Sequence, residues 1–159
     1  MNKLERETCN IIEAEEAARY EEIALSHLKS LGLRITRPRK LVLKVLASTR
    51  KPLGAYQIRD YVLSQGQKID VVSVYRILAS LVEAGLAHHV GLVDGYLACT
   101  SAERGKHQTE HLVCRKCGCV EEIPVPNPAF SEISASASRQ GFLLESTRIE
   151  VAGTCSHCR

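Results

Sequence analysis

The sequence predicts an α+β protein in which a helical N-terminal domain ends in a β-hairpin and is followed by a smaller C-terminal α/β domain. Three observations predict this fold. Apolar residues recur at helical spacing through the first half, an Asp94-Gly95 pair lies between two short apolar runs, and two C-x-x-C pairs occur in the second half. The chain has 159 residues, of which 45% are hydrophobic, so it is long and apolar enough to bury a core.

Two helices begin the predicted N-terminal domain. Apolar residues at helical spacing predict the first within residues 10–31, and Gly32 is a typical C-terminal stop. Thr36 followed by Pro38 is typical of an N-cap and a first helical turn, and the second helix continues through Leu46.

Two more helices and a hairpin complete that domain. Residues 55–63 are amphipathic, and Asp70 or Ser73 can cap a further helix that runs to Ala84. Short apolar runs then predict two strands, at 86–90 and 96–99. Three short helices followed by a hairpin are typical of a winged helix-turn-helix, whose third helix enters the major groove of DNA. We therefore predict a winged-helix DNA-binding domain over residues 1–99.

The charge of the chain is strongly partitioned. Residues 1–28 contain three basic and seven acidic side chains, a net charge of −4, whereas residues 29–51 contain eight basic side chains and no acidic one. The net charge of +3 for the whole chain therefore hides a basic segment that contains a helix start. Such a segment favours an anion-facing surface, and a solvated basic face is the plain alternative.

The second half predicts a separate small domain. Residues 100–106 are polar and indicate a hinge, after which residues 107–159 form the second domain. Its pattern predicts a helix at 129–140 and strands at 111–119, 120–125 and 142–151. A domain of about 50 residues needs a metal, a partner subunit or both to be stable.

The two C-x-x-C pairs predict a structural zinc site. A two-residue gap lets both thiolates of a pair face one ion, and the four ligands are Cys114, Cys117, Cys155 and Cys158. A redox pair or buried thiols are the alternative interpretations. The odd total of seven cysteines argues against a disulfide framework and indicates a reducing compartment. Cys9 and Cys119 receive no role.

Other potential metal ligands are spread over the hairpin, the hinge and the second domain, as expected for a metal that links two domains. They are His88, His89, Cys99, His107, His111, Glu121 and Glu122. A surface histidine or carboxylate is the ordinary alternative for each of them.

Short motifs run from Leu31 to Cys158 and are jointly specific. They are Arg34-Ile-Thr-Arg-Pro-Arg39, Val72-Ser-Val-Tyr-Arg76, Glu83-Ala-Gly-Leu86 and the two cysteine pairs. Together they resemble the ferric uptake regulator family of bacterial metal-responsive repressors, and most closely its zinc-responsive branch. The resemblance implies a homodimer that uses its second domain as the interface, binds double-stranded operator DNA and represses zinc-uptake genes. It also implies that the protein is not an enzyme and has no small-molecule substrate.

The resemblance also implies roles for individual residues. A regulatory zinc would be held by His88, Cys99, His107 and Glu122, which with the structural site makes two zinc ions per subunit. For DNA, we expect Tyr75 and Arg76 to reach the major groove. Phosphate contacts are expected from the basic helix start, with one tyrosine in addition: Arg37, Arg39, Lys40 and Tyr56.

Three other functions stay open. A sensor of iron, manganese or peroxide would share the fold, but the thiolate of Cys99 favours zinc, and the histidine-rich segment of iron sensors is reduced here to Gln108-Thr-Glu-His111. A zinc hydrolase would use Glu122 as general base. A zinc-stabilised interaction module would not bind DNA.

The cellular location follows from two further features of the sequence. No apolar run approaches the roughly 18 residues of a membrane helix, and the first residues lack a secretory signal. We therefore expect a cytoplasmic protein without a membrane partner.

Overall fold

The computed structural model describes residues 12–101, 109–124, 127–145 and 147–159. It has the α+β fold that the sequence predicts. Its helices are α1 (Ala14–Ser30), α2 (Arg37–Ala47), α3 (Ala55–Ser64), α4 (Val71–Glu83) and α5 (Asn127–Arg139). Its strands are β1 (Ala87–Val90), β2 (Gly95–Ala98), β3 (Thr109–Cys114), β4 (Val120–Pro124) and β5 (Ile149–Gly153). No helix in these described ranges is long and apolar enough to cross a membrane.

Side-chain caps define the starts of α2 and α4, the two helices expected to contact DNA. The hydroxyl of Thr36 accepts a hydrogen bond from the Arg39 N–H at the start of α2, at 3.4 Å. Asp70 accepts from both the N–H and the hydroxyl of Ser73, at 2.8 and 2.6 Å, so Asp70 rather than Ser73 caps α4. Each such cap contributes about 1 kcal/mol to the stability of its helix.

The N-terminal core is formed by the inner faces of α1 to α4. Leu28, Leu46, Ile58 and Leu78, one from each helix, are fully buried together. The hydroxyl of Tyr20 on α1 donates a hydrogen bond to the carbonyl of Leu86 at 2.6 Å. This bond attaches the N-terminal helix to the entrance of the hairpin.

Two small sheets follow the four N-terminal helices, with α5 between β4 and β5. The hairpin strands β1 and β2 pair antiparallel, and the C-terminal sheet has the order β4-β3-β5, with β3 antiparallel to β4 and parallel to β5. The register places His111 on β3 directly between Glu122 on β4 and Glu150 on β5. Laterally paired residues project from the same face of a sheet, so these three side chains share one face.

The hairpin packs against the C-terminal sheet. Val90 and Leu97 of the hairpin are buried in one cluster with Val113 and Val120 of the sheet. This apolar contact joins the two halves of the chain and places the hairpin beside the face that carries His111, Glu122 and Glu150.

Two predicted strands are wrong in extent. The strand predicted at 111–119 ends at Cys114, because the next residues turn: the Gly118 N–H donates to the Cys114 carbonyl at 2.8 Å, and Gly118 has a φ of +74°. The strand predicted at 142–151 is instead β5 at Ile149–Gly153, which begins where Glu110 of β3 offers it a partner. Alternating apolar residues do not reveal the length of the neighbouring strand.

A close backbone approach favours glycine at position 95, directly after the turn of the hairpin. Leu53 and Tyr96 exchange backbone hydrogen bonds of 2.8 and 2.9 Å, which bring Pro52 against Gly95. A Cβ atom added at Gly95 would lie 2.7 Å from Cβ of Pro52 and 3.0 Å from its carbonyl carbon.

We therefore expect Gly95→Ala to lower the free energy of unfolding by about 1–3 kcal/mol, measured by urea denaturation. Gly153→Ala is the matched control, because a Cβ added at this strand glycine meets no described atom within 4 Å. The control should change stability by no more than about 0.5 kcal/mol. Equal stability of the two variants would contradict the close packing at Gly95.

Candidate functional site

Four cysteine thiols converge at one end of the C-terminal sheet, and we call them the sulfur cluster. Cys114 ends β3, Cys117 follows in the turn, and Cys155 and Cys158 come after the parallel strand β5. Their sulfur atoms lie within 4.8 Å of one another, and the Sγ atoms of Cys117 and Cys155 are 3.8 Å apart. Sulfur atoms at about 2.3 Å from a tetrahedral zinc lie about 3.8 Å apart, so the cluster fits a zinc ion.

Backbone N–H groups favour the thiolate form of Cys114 in this cluster, whereas burial raises the pKa of Cys158 to about 12. Burial opposes ionisation of Cys114, but the N–H groups of Cys155, Cys117 and Lys116 outweigh burial and lower the pKa of Cys114 to about 6. The Cys155 N–H lies 3.4 Å from Sγ of Cys114. A thiolate that exists at neutral pH binds a metal without first losing a proton.

A second group of potential ligands lies where the hairpin meets the C-terminal sheet, and we call it the junction cluster. His88 on β1, Cys99 just after β2 and Glu122 on β4 each place one ligand atom within 4.8 Å of the other two. Nitrogen, sulfur and oxygen donors together suit zinc. His107, which the resemblance implies as the fourth ligand, lies outside the described residues.

The carboxylate of Glu122 is oriented by Thr100. One oxygen accepts hydrogen bonds from the N–H and the hydroxyl of Thr100, both at 2.9 Å. The other oxygen lies 3.5 Å from Nε2 of His88 and 3.8 Å from Sγ of Cys99. Thr100 therefore holds one oxygen and turns the other towards the two remaining ligands. The sequence pattern gave no sign of this role for Thr100.

Cys99 is deeply buried in the junction cluster. Burial, together with the negative charge of Glu122, raises the pKa of Cys99 to about 12. Without a bound metal the thiol is protonated at neutral pH, so a metal that binds here must displace a proton.

His111 lies beside the junction cluster. Its side chain is only 3% exposed, and its ring centre is 4.8 Å from that of His88. Burial and the neighbouring His88 lower the pKa of His111, so its ring is neutral at neutral pH. Neither ring nitrogen has a hydrogen-bond partner within the described part of the chain. The sequence analysis named His111 as a potential ligand, but only the β3–β4 register places it opposite Glu122.

The outer face of α4 presents the residues expected to meet DNA. Val74 and Leu78 are buried on the inner face, whereas Tyr75 is 47% exposed and Arg76 is also exposed. Arg37 at the start of α2 donates a hydrogen bond to Gln67, in the loop before α4. This bond connects the basic start of α2 to the loop that leads into α4.

The remaining predicted DNA contacts differ in exposure. Lys40 is exposed on α2, and Tyr56 is 57% exposed with the guanidinium of Arg59 5.2 Å from its ring centre. Arg39 is half-buried and donates to the Arg34 carbonyl and to the Ser80 hydroxyl. Arg39 thus connects α2 to α4, and its expected phosphate contact stays a prediction.

Comparison with known proteins places this chain in a family. The model of the ferric uptake regulator family matches residues 30–152, most of the chain. The chain belongs to the ferric uptake regulator family. As a member it is a metal-responsive transcription regulator, a class distinct from enzymes.

Relatives within the ferric uptake regulator family carry two kinds of name. The ferric uptake regulation protein of Legionella pneumophila is 33% identical over 133 residues, which cover 83% of this chain and 96% of the relative. The zinc uptake regulation protein of Mycobacterium tuberculosis is 30% identical over 135 residues, which cover 83% of this chain and 99% of the relative.

Solved structures of the family confirm the predicted fold class. The holo form of XcZur superposes with a TM-score of 0.78 at 27% identity, over 88% of this chain and 96% of XcZur. A zinc uptake regulator complexed with zinc and DNA superposes with a TM-score of 0.81, over 88% of this chain and 93% of that protein. Its identity of 24% establishes the shared fold.

The proximity of Glu122 to Cys99 predicts a measurable change in thiol reactivity. In protein without metal at the junction cluster, Glu122→Gln should shift the pH profile of Cys99 alkylation by iodoacetamide to lower pH. The reason is that removing the carboxylate charge lowers the pKa of the thiol and increases the thiolate fraction at each pH. Peptide mapping by mass spectrometry separates Cys99 from the other cysteines.

Glu121→Gln is the control for this shift, because Glu121 is exposed on the same strand and alternates to the other face. Its profile should match that of the wild type. An unshifted profile in Glu122→Gln would show that the carboxylate does not act on the Cys99 thiol.

Proposed function

We propose that this chain is a zinc-responsive transcriptional repressor that binds operator DNA as a homodimer and represses zinc-uptake genes. The observation that carries the proposal is the junction cluster, in which a buried thiol lies with an imidazole and a carboxylate between the hairpin and the C-terminal sheet. Thiolate ligands favour zinc, whereas the hard oxygen ligands of a carboxylate-rich site favour manganese. The zinc uptake regulation protein of M. tuberculosis supports the same choice.

The proposal assigns two zinc ions to each subunit. Cys114, Cys117, Cys155 and Cys158 would hold a structural ion, and the 3.8 Å sulfur separation supports this role. His88, Cys99 and Glu122 would hold the regulatory ion, with His107 as the fourth ligand. A zinc ion at this site would be coordinated by an imidazole, a thiolate and a carboxylate at the same time.

The positions of the three ligand residues explain how metal binding would control DNA binding. His88 lies on β1, five residues after Glu83 at the end of α4, so holding His88 also limits the direction of α4. Cys99 restrains the end of β2, and Glu122 restrains β4 of the second domain. Joining these three residues fixes the winged helix relative to the dimerisation domain, and the competent orientation is then populated in preference to others.

DNA recognition would use the outer face of α4. Tyr75 and Arg76 would reach base edges in the major groove. Arg37, Lys40 and Tyr56 would contact the backbone, while Arg39 would keep α2 against α4 in addition to its expected phosphate contact.

The proposed domain organisation has a winged helix at 1–99, a hinge at 100–106 and a dimerisation domain at 107–159. Exposed apolar side chains in the last domain support a partner subunit there; they are Ile133, Phe142, Leu143 and Val151. A reducing cytoplasm suits a protein that needs its thiols reduced to bind metal.

Two serine variants test the proposed division between the clusters. Cys99→Ser should keep the fold and the dimer but lose zinc-dependent binding to a DNA duplex selected from a random library by the wild-type protein. Cys114→Ser should instead unfold or dissociate the C-terminal domain, because a structural zinc contributes folding free energy. Circular dichroism, analytical ultracentrifugation and fluorescence anisotropy measure the three properties.

Outcomes against the proposal are distinct for the two variants. A normal zinc response in Cys99→Ser would place the regulatory ion elsewhere. A folded, dimeric Cys114→Ser at micromolar concentration would show that the sulfur cluster is not structural. Activation of wild-type DNA binding by iron or manganese but not by zinc would favour a different metal sensor of the same family.

A further inference from the structure

A second carboxylate of the C-terminal sheet reaches the hairpin at a different point. Glu150 on β5 accepts hydrogen bonds from the N–H groups of Gly91 and Leu92, at 2.8 and 2.7 Å. One carboxylate oxygen binds each N–H group, so both oxygens are engaged. These N–H groups open the short turn between β1 and β2, which lies 58 and 59 residues earlier in the chain.

The electrostatics of this contact favour an ionised carboxylate. Partial burial opposes ionisation, but the two backbone N–H groups and the nearby positive charge of Arg148 outweigh burial and lower the pKa of Glu150. Hydrogen bonds from neutral donors to a charged acceptor are stronger than those between neutral groups. The Glu150 carboxylate therefore holds the turn of the hairpin against the C-terminal sheet.

Glu150 and Glu122 contact different residues of the N-terminal half. Both carboxylates project from the same face of the C-terminal sheet, on either side of His111. Glu122 engages Thr100 and faces His88 and Cys99, whereas Glu150 holds the turn at the far end of β1. The two carboxylates of the sheet therefore make contacts at two separate places. The apolar cluster of Val90, Leu97, Val113 and Val120 adds a further contact between the hairpin and the sheet.

We propose that Glu150 is a positioning residue that clamps the hairpin turn to the C-terminal sheet and fixes the DNA-binding orientation of the winged helix. Glu150 holds the turn at a place separate from the junction cluster, so this contact resists tilting of the hairpin that would leave the junction cluster in place. The clamp uses backbone donors and so needs no metal at its own contact. This role rests on the proposed function, since it concerns the same orientation that the junction cluster controls.

The experiment compares full-length wild type with Glu150→Ala, Glu150→Gln and Glu121→Ala, each loaded with zinc. Hydrogen–deuterium exchange reports the amides of Gly91 and Leu92. Fluorescence anisotropy reports affinity for a duplex selected from a random library by the zinc-loaded wild type. Zinc content and far-ultraviolet circular dichroism report whether the two clusters and the fold are intact.

We expect Glu150→Ala to increase exchange of the two amides and to weaken DNA binding about tenfold, with zinc content and circular dichroism unchanged. Glu150→Gln should give an intermediate effect, because its single amide oxygen still accepts one hydrogen bond. Glu121→Ala should match the wild type, because Glu121 is an exposed carboxylate of the same sheet on its other face.

Different failures are distinguishable. Unchanged amide exchange in Glu150→Ala would overturn the clamp itself. Increased exchange with wild-type DNA affinity would overturn its positioning role. A zinc-loaded wild type that selects no duplex would overturn the proposed function and with it the positioning role, while the exchange data would still decide whether Glu150 holds the turn.

Discussion

The contact between the hairpin and the C-terminal sheet is the constraint on which the rest of the structure depends. The hairpin follows α4 directly, so any restraint on the hairpin also directs the helix proposed to face DNA. Val90 and Leu97 provide an apolar contact with the sheet, and Glu122 adds a directed polar one through Thr100. Apolar contact alone is non-directional, whereas paired carboxylate hydrogen bonds define an orientation.

The thiols that could bind a metal lie in two clusters, and the electrostatic surroundings of Cys114 differ from those of Cys99. Backbone N–H groups lower the pKa of Cys114, so this thiol is ionised at neutral pH before a metal binds. Cys99 is protonated beside a buried carboxylate and must release its proton to bind a metal. Burial raises the pKa of Cys158 in the sulfur cluster to about 12 as well, so a metal must displace a proton in both clusters and the difference between them lies at Cys114.

Much of the fold could be predicted from the sequence because its signals are local. Thr36, Asp70 and the Asp94-Gly95 pair mark boundaries that their own neighbours determine. The extent of β5 could not be predicted, because it depends on the partner that β3 offers. The same reason explains the site. The family resemblance implied His88, Cys99 and Glu122, whereas Thr100, Glu150 and the placement of His111 depend on how two sheets pair and pack.

The most direct test of the account is the coupling between metal and DNA. If the junction cluster and the DNA-binding face report on one orientation, each ligand must strengthen the other by the same factor. Zinc affinity of the junction cluster should therefore be measured by chelator competition with and without the selected duplex. The account predicts that the duplex tightens zinc by the factor with which zinc tightens the duplex. Equal zinc affinity with and without DNA would contradict it.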